Sequence, residues 1–284
     1  IVIGELGIKG PEAVAGLSRQ LGSGVAVLQR HALEALTRIG AKKALGSVFP
    51  LVASPVIEVA DAARRAIASV GEEVVPLVKE RLANATPEEK RALDAVLAEV
   101  GGKDAFTELL KGVLASDAES AKAAALAVRR ELKDADARQK KVYATATLKQ
   151  LAELCKKSDS PASGLAATIK ILGFLEDERA VSLLIDLASD AKAAPLVRME
   201  AVLALRFLVK EASAELVDAL VLAADAPDRT LSQAALVTLG SLPLDKAAIK
   251  RMAPLVMSHD PERASFAVEH LSRQKGPEVT ALLT

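Results

Sequence analysis

Three histidines and one cysteine are the residues of this chain best suited to proton transfer or metal binding. They are His31, His259, His270 and Cys155. A metal site needs several imidazole, thiolate or carboxylate ligands that converge on one point, and isolated histidines this far apart do not supply them. We therefore interpret His31 as a packing or rim residue of a helix and expect no metal or other cofactor. The single cysteine excludes an internal disulfide, suits a reducing compartment such as the cytoplasm, and is predicted to be a buried, inert thiol.

Arginine is the second residue type with a chemical use, because guanidinium groups bind carboxylates and phosphates. Six arginines are candidates for holding a partner on one surface: Arg30, Arg65, Arg91, Arg130, Arg198 and Arg206. Acidic residues share the same segments, several of them three or four positions from an arginine: Glu34, Asp61, Asp94, Glu99, Glu131, Glu200 and Glu269. Such pairs are typical of a solvated helix face. The sequence leaves both interpretations open.

Catalytic motifs are absent from the sequence. It has no glycine-rich phosphate loop, no nucleophile elbow and no cluster of zinc ligands. The segment "LGSG" at 21–24 is predicted to be a turn between helices. Because no constellation places a base beside a nucleophile, we expect a protein that is not an enzyme.

Composition favours a folded helical protein. The chain has 284 residues, of which 51% are hydrophobic and 26% charged, so it can bury a core. Only Tyr143 and five phenylalanines are aromatic, which leaves alanine and the aliphatic residues to build that core from helices. Lysine and arginine together number 37, as do aspartate and glutamate, so no net charge attracts nucleic acid or an anionic membrane. The longest uncharged stretch, 230–244, is too short and too polar to span a bilayer.

A repeated phrase of the type "ALxxxG" organises the whole chain. Its last residue recurs at intervals of 30 to 34, with one interval of 43, at these anchor positions: Gly7, Gly40, Gly71, Gly101, Lys133, Glu176, Lys210, Pro243 and Lys275. Residues four and eight positions before an anchor are mostly apolar, and the residue nine positions before it is mostly alanine. These offsets trace one face of a helix. Arg129 and Arg206 are exceptions at the position four before the anchor. They are either buried functional arginines or, if their anchors shift by one residue, members of an exposed ridge.

Each repeat contains two helices. Prolines precede the anchors by 14 to 16 residues at Pro55, Pro87, Pro161, Pro195, Pro227 and Pro261, which is typical of a first helical turn. The residues immediately before four of these prolines are predicted N-caps: Ser54, Thr86, Ser160 and Asp260. A second apolar helix follows each anchor. Since no two-helix repeat can bury its apolar faces alone, the repeats must stack into a solenoid.

The sequence of the repeats resembles that of a known family. "ILGFLEDERAVSLLIDLA" at 171–188 and "VRMEAVLALRFL" at 197–208 are similar to phrases of HEAT-like repeats, specifically the short type shared with phycobilin lyases. The resemblance implies an all-α fold, a right-handed α-α superhelix of about eight to nine two-helix repeats, with one helix of each repeat lining a concave surface. Some HEAT-like enzymes, the deoxyhypusine hydroxylases, bind two iron ions through repeated His-Glu dyads. Here His31 is followed by Ala32, so the dyad is missing.

One interruption divides the array. The interval from Lys133 to Glu176 is about ten residues too long, and we predict an elongated helix at 137–157 followed by a flexible turn at 158–164. The predicted organisation is an amino-terminal half array at 1–134, a seam at 135–164 and a carboxy-terminal half array at 165–284. The seam could be a hinge, a docking site or a helix that only repairs the stacking.

Three functions agree with this organisation to different degrees. We favour a non-catalytic cytoplasmic scaffold that binds a protein or peptide on the concave face through the six arginines. A nucleic-acid-binding protein resembling the alkylpurine DNA glycosylases is an alternative, although zero net charge and the absence of tryptophan count against it. A chromophore lyase or isomerase is the third, by analogy with the repeat type alone. The end repeats lack polar outer faces, which leaves pairing with another copy open.

Overall fold

The fold is known from a computed structural model, which describes residues 2–115, 117–157, 159–273 and 277–283. Throughout these residues the regular secondary structure is helical, as predicted. Lys275, the last predicted anchor, lies outside the described residues. None of the described helices is both long enough and apolar enough to cross a membrane.

The chain forms two compact units, Ile1–Tyr143 and Ala144–Thr284. The division falls inside a 19-residue helix, Ala137–Cys155, between the predicted limits at 134 and 164. Unit 1 contains the helices α1 (Val2–Glu5), α2 (Pro11–Leu21), α3 (Ala26–Ile39), α4 (Leu45–Val48), α5 (Ile57–Ala68), α6 (Val75–Leu82), α7 (Pro87–Val100), α8 (Gly102–Gly112), α9 (Ala118–Asp134) and the first part of α10 (Ala137–Cys155). Short 3-10 turns precede α4 and α6 at Lys42–Ala44 and Gly71–Val74, and another follows α4 at Phe49–Leu51.

Unit 2 begins within α10 and continues the same pattern. Its further helices are α11 (Ala162–Leu175), α12 (Val181–Ser189), α13 (Pro195–Leu208), α14 (Ala214–Ala224), α15 (Arg229–Ser241), α16 (Lys246–Arg251), α17 (Ala253–Val256), α18 (Pro261–Ser272) and α19 (Pro277–Leu283). A 3-10 turn at Glu178–Ala180 precedes α12.

Helices alternate between two rows within each unit. In unit 1 the second helices of successive repeats pack side by side, α3 on α5, α5 on α7 and α7 on α9. In unit 2 the corresponding row is α11, α13 and α15, while α12 and α14 pack together in the other row. Eight helix pairs follow one another from α2 to α18. The predicted fold of stacked two-helix repeats is therefore confirmed.

Five of the nine anchors have left-handed backbone near the end of a helix, whereas Lys133 lies within α9. Gly7, Gly40, Gly71 and Gly101 all have positive φ, and Glu176 is the one non-glycine residue with positive φ among the described residues. This conformation closes a helix at its carboxyl end and favours glycine. The repeat alignment thus identified real helix ends.

The repeat columns face the core. The apolar residues four positions before the anchors are fully buried: Leu36, Ile67, Leu97, Leu172, Leu239 and Leu271. Arg129 and Arg206 are exposed, and the residues just before them, Val128 and Leu205, are 1% exposed. The one-residue shift considered for these two repeats is confirmed.

Close helix crossings explain why glycine and alanine occupy certain positions of the second helices. A Cβ placed on Gly173 of α11 would lie 3.2 Å from Ala204 Cα of α13, and one on Gly4 would lie 2.9 Å from Ala35 Cα. Both glycines stand three positions before an anchor. Helices of the second row approach one another at these points because the side chains there are minimal.

Two of the four predicted N-caps are confirmed. Thr86 forms a reciprocal capping box with Glu89, and the Asp260 carboxylate accepts hydrogen bonds from the first-turn N–H groups of α18. The other two predictions are wrong. Ser54 lies two residues before the N-cap of α5, and the Ser160 hydroxyl donates to the Leu154 carbonyl instead.

The predicted elongated helix is present as α10. The next helix begins at Ala162, so the turn is shorter than the predicted 158–164, and Ser158 lies outside the described residues. The predicted domain limits stay predictions.

Candidate functional site: the second-helix surface

The six candidate arginines divide between the two units. Four lie in unit 1, on the successive second helices α3, α5, α7 and α9: Arg30, Arg65, Arg91 and Arg130. The other two, Arg198 and Arg206, lie on α13 of unit 2. Because α3, α5, α7 and α9 pack in sequence, their side chains form one surface, which we call the unit 1 ridge.

Arg30 is held by its own helix. Its Nη1 atom lies 3.5 Å from Glu34 Oε1, and its Nη2 atom lies 3.5 Å from His31 Nε2. The other ring nitrogen of His31, Nδ1, lies 3.2 Å from Glu34 Oε2. His31 is thus a half-buried member of a local polar cluster on α3, in agreement with its interpretation as a rim residue.

Arg65 and Arg130 come together around an acid from the helix between them. Burial raises the pKa of Glu99 on α7, and the guanidinium groups of Arg64, Arg65 and Arg130 oppose this rise. Arg64 also pairs with Asp61 on its own helix. Three successive second helices therefore bring the charges of an arginine, a glutamate and an arginine close enough to act on one another, which i to i+4 pairing within one helix cannot do.

A groove of about 590 Å³ runs beside this charge cluster. Ala95 and Ala98 form its apolar wall. Two basic residues, Arg130 and Lys133, and three acids, Glu99, Glu131 and Asp134, place charges along it. A concave site with small apolar residues and a few charged groups suits an extended peptide better than a deep small-molecule pocket.

Tyr143 lies in the core of unit 1 and contacts Glu131, one of the residues that line this groove. The ring is 1% exposed and stacks on Phe106 with centroids 4.1 Å apart. Its hydroxyl donates to the Glu131 carboxylate and accepts a hydrogen bond from Gly102 N at 3.2 Å. Burial and the neighbouring Glu131 carboxylate raise the pKa of Tyr143. The only tyrosine of the chain is therefore a core residue that fixes Glu131 at the groove.

Arg91 lies at the edge of the unit 1 ridge. Its guanidinium contacts Glu88 at 3.2 Å on the same helix and Glu119 at 4.0 Å on α9. Exposed pairs of this kind contribute little to stability.

Arg198 is engaged inside unit 2. It is 7% exposed, and its Nε atom donates to the Ala188 carbonyl at 2.9 Å. Likewise, the Ser232 hydroxyl on α15 donates to the Ala224 carbonyl at 2.6 Å. In unit 1 the Gln29 amide on α3 donates to the Leu21 carbonyl at 2.8 Å. In all three cases a side chain from the second helix satisfies a carbonyl at the end of the first helix. Arg198 serves the packing of its own repeat.

The unit 2 second helices present exposed aromatic side chains next to basic ones. Phe174 on α11 is 49% exposed and Phe207 on α13 is 67% exposed, next to exposed Arg206. A further groove, of about 600 Å³, lies between α15 and α18, with Val237 and Phe266 on its floor and the Arg229–Glu262 ion pair at 2.7 Å on its rim.

The remaining reactive residues are scattered. His259 is exposed, and His270 stacks on Phe266, with burial lowering its pKa. No three histidine, cysteine, aspartate or glutamate side chains converge as a metal-binding group in the part of the chain that the structure describes. Cys155 is exposed on α10, so the prediction of a buried thiol is wrong; the helix turns this position outward.

Sequence reasoning missed one polar residue. Asp94 was grouped with acids of a solvated helix face, yet it is 4% exposed. A signal existed, because the position seven before the anchor is apolar in six of the eight copies: Leu33, Leu126, Ile169, Leu203, Leu236 and Val268. Asp94 occupies that column in its repeat.

No family model matches the chain, and no curated protein matches it. Among solved structures, it is similar to an engineered protein at 19% identity and a TM-score of 0.43, with 99% of this chain and 86% of the other covered. It is also similar to human deoxyhypusine hydroxylase at 20% identity and a TM-score of 0.34, covering 84% and 86%. The structure of the Pds5–Scc1 complex matches at 10% identity and a TM-score of 0.37, covering 93% and 58%. With similarities this low, the helical-repeat class of the chain rests on its own helix pairs.

Proposed function

We propose that this protein is a non-catalytic, HEAT-like scaffold that binds a protein or peptide on the unit 1 ridge. The observation that carries the proposal is the convergence of Arg65, Glu99 and Arg130 from three successive helices beside the groove. Repeat arrays bind partners across several units because adjacent helices form one extended surface.

The ridge favours an acidic, extended peptide. Asp61 pairs with Arg64, while Arg65 and Arg130 act on the Glu99 carboxylate only through their charge, without an ion pair among the described residues. A peptide carboxylate can therefore gain charge-assisted hydrogen bonds there, while small peptide side chains contact Ala95 and Ala98. We propose no enzymatic role and a cytoplasmic location; the isolated thiol of Cys155 agrees with a reducing compartment.

Selection from a displayed library of random 12-residue peptides tests this function. We expect enriched peptides to be acidic, to bind less tightly as salt rises, and to lose at least tenfold in affinity on the double variant Arg65→Glu with Arg130→Glu. Arg198 is left unchanged, because reversing a buried charge would disturb the fold.

The matched control reverses two exposed basic residues of first helices, Arg19 on α2 and Lys103 on α8. The control should bind the selected peptides as the unmodified protein does. Equal loss in both double variants would mean only a general charge effect. Undiminished binding by the ridge variant would refute the assignment of the site.

A further inference from the structure

A separate cavity in unit 1 contains a buried acid without a partner. The cavity has a volume of about 270 Å³ and is bordered by α6, α7, α8 and the start of α9. Asp94 of α7 lines it, is 4% exposed, and has no hydrogen bond within the described part of the chain. Native proteins almost always satisfy a buried carboxyl group, so this one requires an explanation.

The neighbourhood of Asp94 offers little compensation. Burial raises the pKa of Asp94 to about 7, and the Lys90 ammonium lowers it only in part. On the opposite side the carboxylate faces the backbone of α8, since a Cβ added at Gly112 would lie 3.6 Å from Asp94 Oδ1. Gly112 is also where α8 crosses α9 closely, since the added Cβ would lie 2.9 Å from Ala124 Cβ, so the carboxyl group packs beside a close helix crossing and borders the cavity.

A buried hydroxyl group borders the same cavity. Ser120 is 3% exposed, and its Oγ atom has no partner with hydrogen-bond geometry. The Asp117 carboxylate accepts from Ser120 N at 2.9 Å, and both the hydroxyl and this N–H lower the pKa of Asp117. The hydroxyl thus lies near the Asp117 carboxylate and borders the cavity.

Lysines surround the mouth. Lys79 and Lys111 lie 3.6 and 2.7 Å from the Glu108 carboxylate, and Lys90 lies nearer Asp94. The lining thus holds three ammonium groups and two carboxyl groups. A plain cation would satisfy Asp94 but meet this excess of positive charge, and a plain anion would find no partner at the floor.

We infer that this cavity binds a small zwitterion of the amino-acid class. Its ammonium group would donate to Asp94 and Ser120, and its carboxylate would lie among the lysines. Leu82, Ala83 and Ala115 provide an apolar wall for the carbon chain. The cavity volume suits a molecule smaller than the drug-sized ligands that fill typical pockets. The raised pKa of Asp94 agrees with a carboxyl group that a cationic group would stabilise in its ionised form.

The test uses unbranched ω-amino acids from glycine to 6-aminohexanoate as probes, detected by ligand-observed NMR up to 10 mM. Butylammonium and butanoate, which carry one charged group each, are the chemical controls. We expect at least one amino acid to bind, and both controls to bind at least tenfold more weakly than it does.

Two variants locate the binding. Asp94→Asn keeps the shape of the side chain and should weaken binding at least tenfold. Ala83→Trp, at an exposed position of the mouth, should block binding while Asp94 stays intact, which covers the case in which the first variant changes the fold. Asp104→Asn, an exposed acid on α8, should bind as the unmodified protein does.

Three results would overturn the inference. They are the absence of binding by every amino acid of the series, undiminished binding by Asp94→Asn and Ala83→Trp, and binding of butylammonium as tight as that of the amino acids. None of these outcomes bears on the peptide selection at the unit 1 ridge, because the ridge variants leave this cavity unchanged.

Discussion

The two units use the same helix pair but distribute polar groups differently. Unit 1 ends its second helices α1, α3 and α7 with glycine anchors and holds Asp94 and the Tyr143–Glu131 pair in buried or half-buried positions. Unit 2 has Glu176 as an anchor and turns Phe174 and Phe207 toward solvent. Helical periodicity fixes which positions face inward, but it leaves open which of them carry charge.

This difference has consequences for stability and binding. Burial shifts the pKa of Asp94 in unit 1 and, by less, the pKa values of Glu200 and His270 in unit 2, so the stability of both units depends on pH and that of unit 1 depends on it more. The charged ridge and the zwitterion cavity also belong to unit 1. We therefore expect salt and small charged ligands to act on unit 1, pH to act most on unit 1, and packing variants at the α11–α13 crossing to act on unit 2.

Asp94→Asn should change the free energy of unfolding more than any other variant considered. The folded pKa of Asp94, about 7, exceeds its ordinary value of 3.8, so the folded state holds a proton that the unfolded chain releases, and stability falls as pH rises from about 4 to 7. At about 1.4 kcal/mol per pKa unit, the loss is up to about 4 kcal/mol. The variant removes this loss and should be more stable than the unmodified protein at pH 8. Urea unfolding at pH 5 and pH 8, followed by hydrogen exchange in α7, measures it.

The charged groups around Asp94 do not produce the same pH dependence. Those that line the cavity or adjoin it are Lys79, Lys90, Glu108, Lys111 and Asp117, and none has an ordinary pKa between 5 and 8. A stability gain of equal size at both pH values would contradict the prediction, since it would point to shape rather than ionisation.

Gly173→Val should have the next largest effect on the free energy of unfolding, and this effect should fall on unit 2. The new side chain would overlap Ala204 of α13, 3.2 Å from the added Cβ, and we expect a loss of about 2 kcal/mol in unfolding free energy. Hydrogen exchange in α11 and α13 would report it. Gly16→Val in α2 is the control, because a Cβ there meets no atom within 4 Å; if it costs as much, helix crossing is not the cause.

Tyr143→Phe tests the polar core of unit 1 on a smaller scale. The variant removes the hydroxyl that donates to Glu131 and accepts from Gly102 N, and we expect a loss of about 1 to 2 kcal/mol. Chemical unfolding measures it, with Thr107→Ala, which loses an exposed hydroxyl on α8, as the reference. If Tyr143→Phe loses no more unfolding free energy than Thr107→Ala, the buried hydroxyl stabilises the protein no more than an exposed one does.

Glu176→Gly should give the smallest effect, and in the stabilising direction. Glu176 has φ 53° and ψ 37°, a conformation that costs a non-glycine residue about 1 kcal/mol. We expect unit 2 to gain about 0.5 to 1 kcal/mol, visible as a higher unfolding midpoint. Glu178→Gly, two residues later in a 3-10 turn without positive φ, should lower the midpoint instead. A loss in both variants would show that the carboxylate of Glu176 matters more than its backbone.

The sequence by itself determined the repeat. Anchors, core columns and prolines near the start of the second helix recur at a nearly fixed period, and each reflects local backbone preference or helical periodicity, which neighbouring residues alone specify. Of the six prolines, Pro87, Pro195 and Pro261 lie in a first helical turn, while Pro55, Pro161 and Pro227 precede it. The elongated α10 followed from the same pattern, which left the exposure of Arg129 and Arg206 open. For this reason the helix pairs were predictable without any alignment.

Only the tertiary structure decided which polar residues are buried. Arg198 looks like a surface residue of its helix, and Cys155 looks like a core residue, because the burial of each depends on helices that precede or follow it in the stack. Asp94 lies in a column that is mostly apolar, but only the packing of α8 beside it shows what its carboxyl group meets, and the end of α12 receives Arg198. Local sequence fixes the angle at which a side chain leaves its helix, while packing between helices fixes what it meets there.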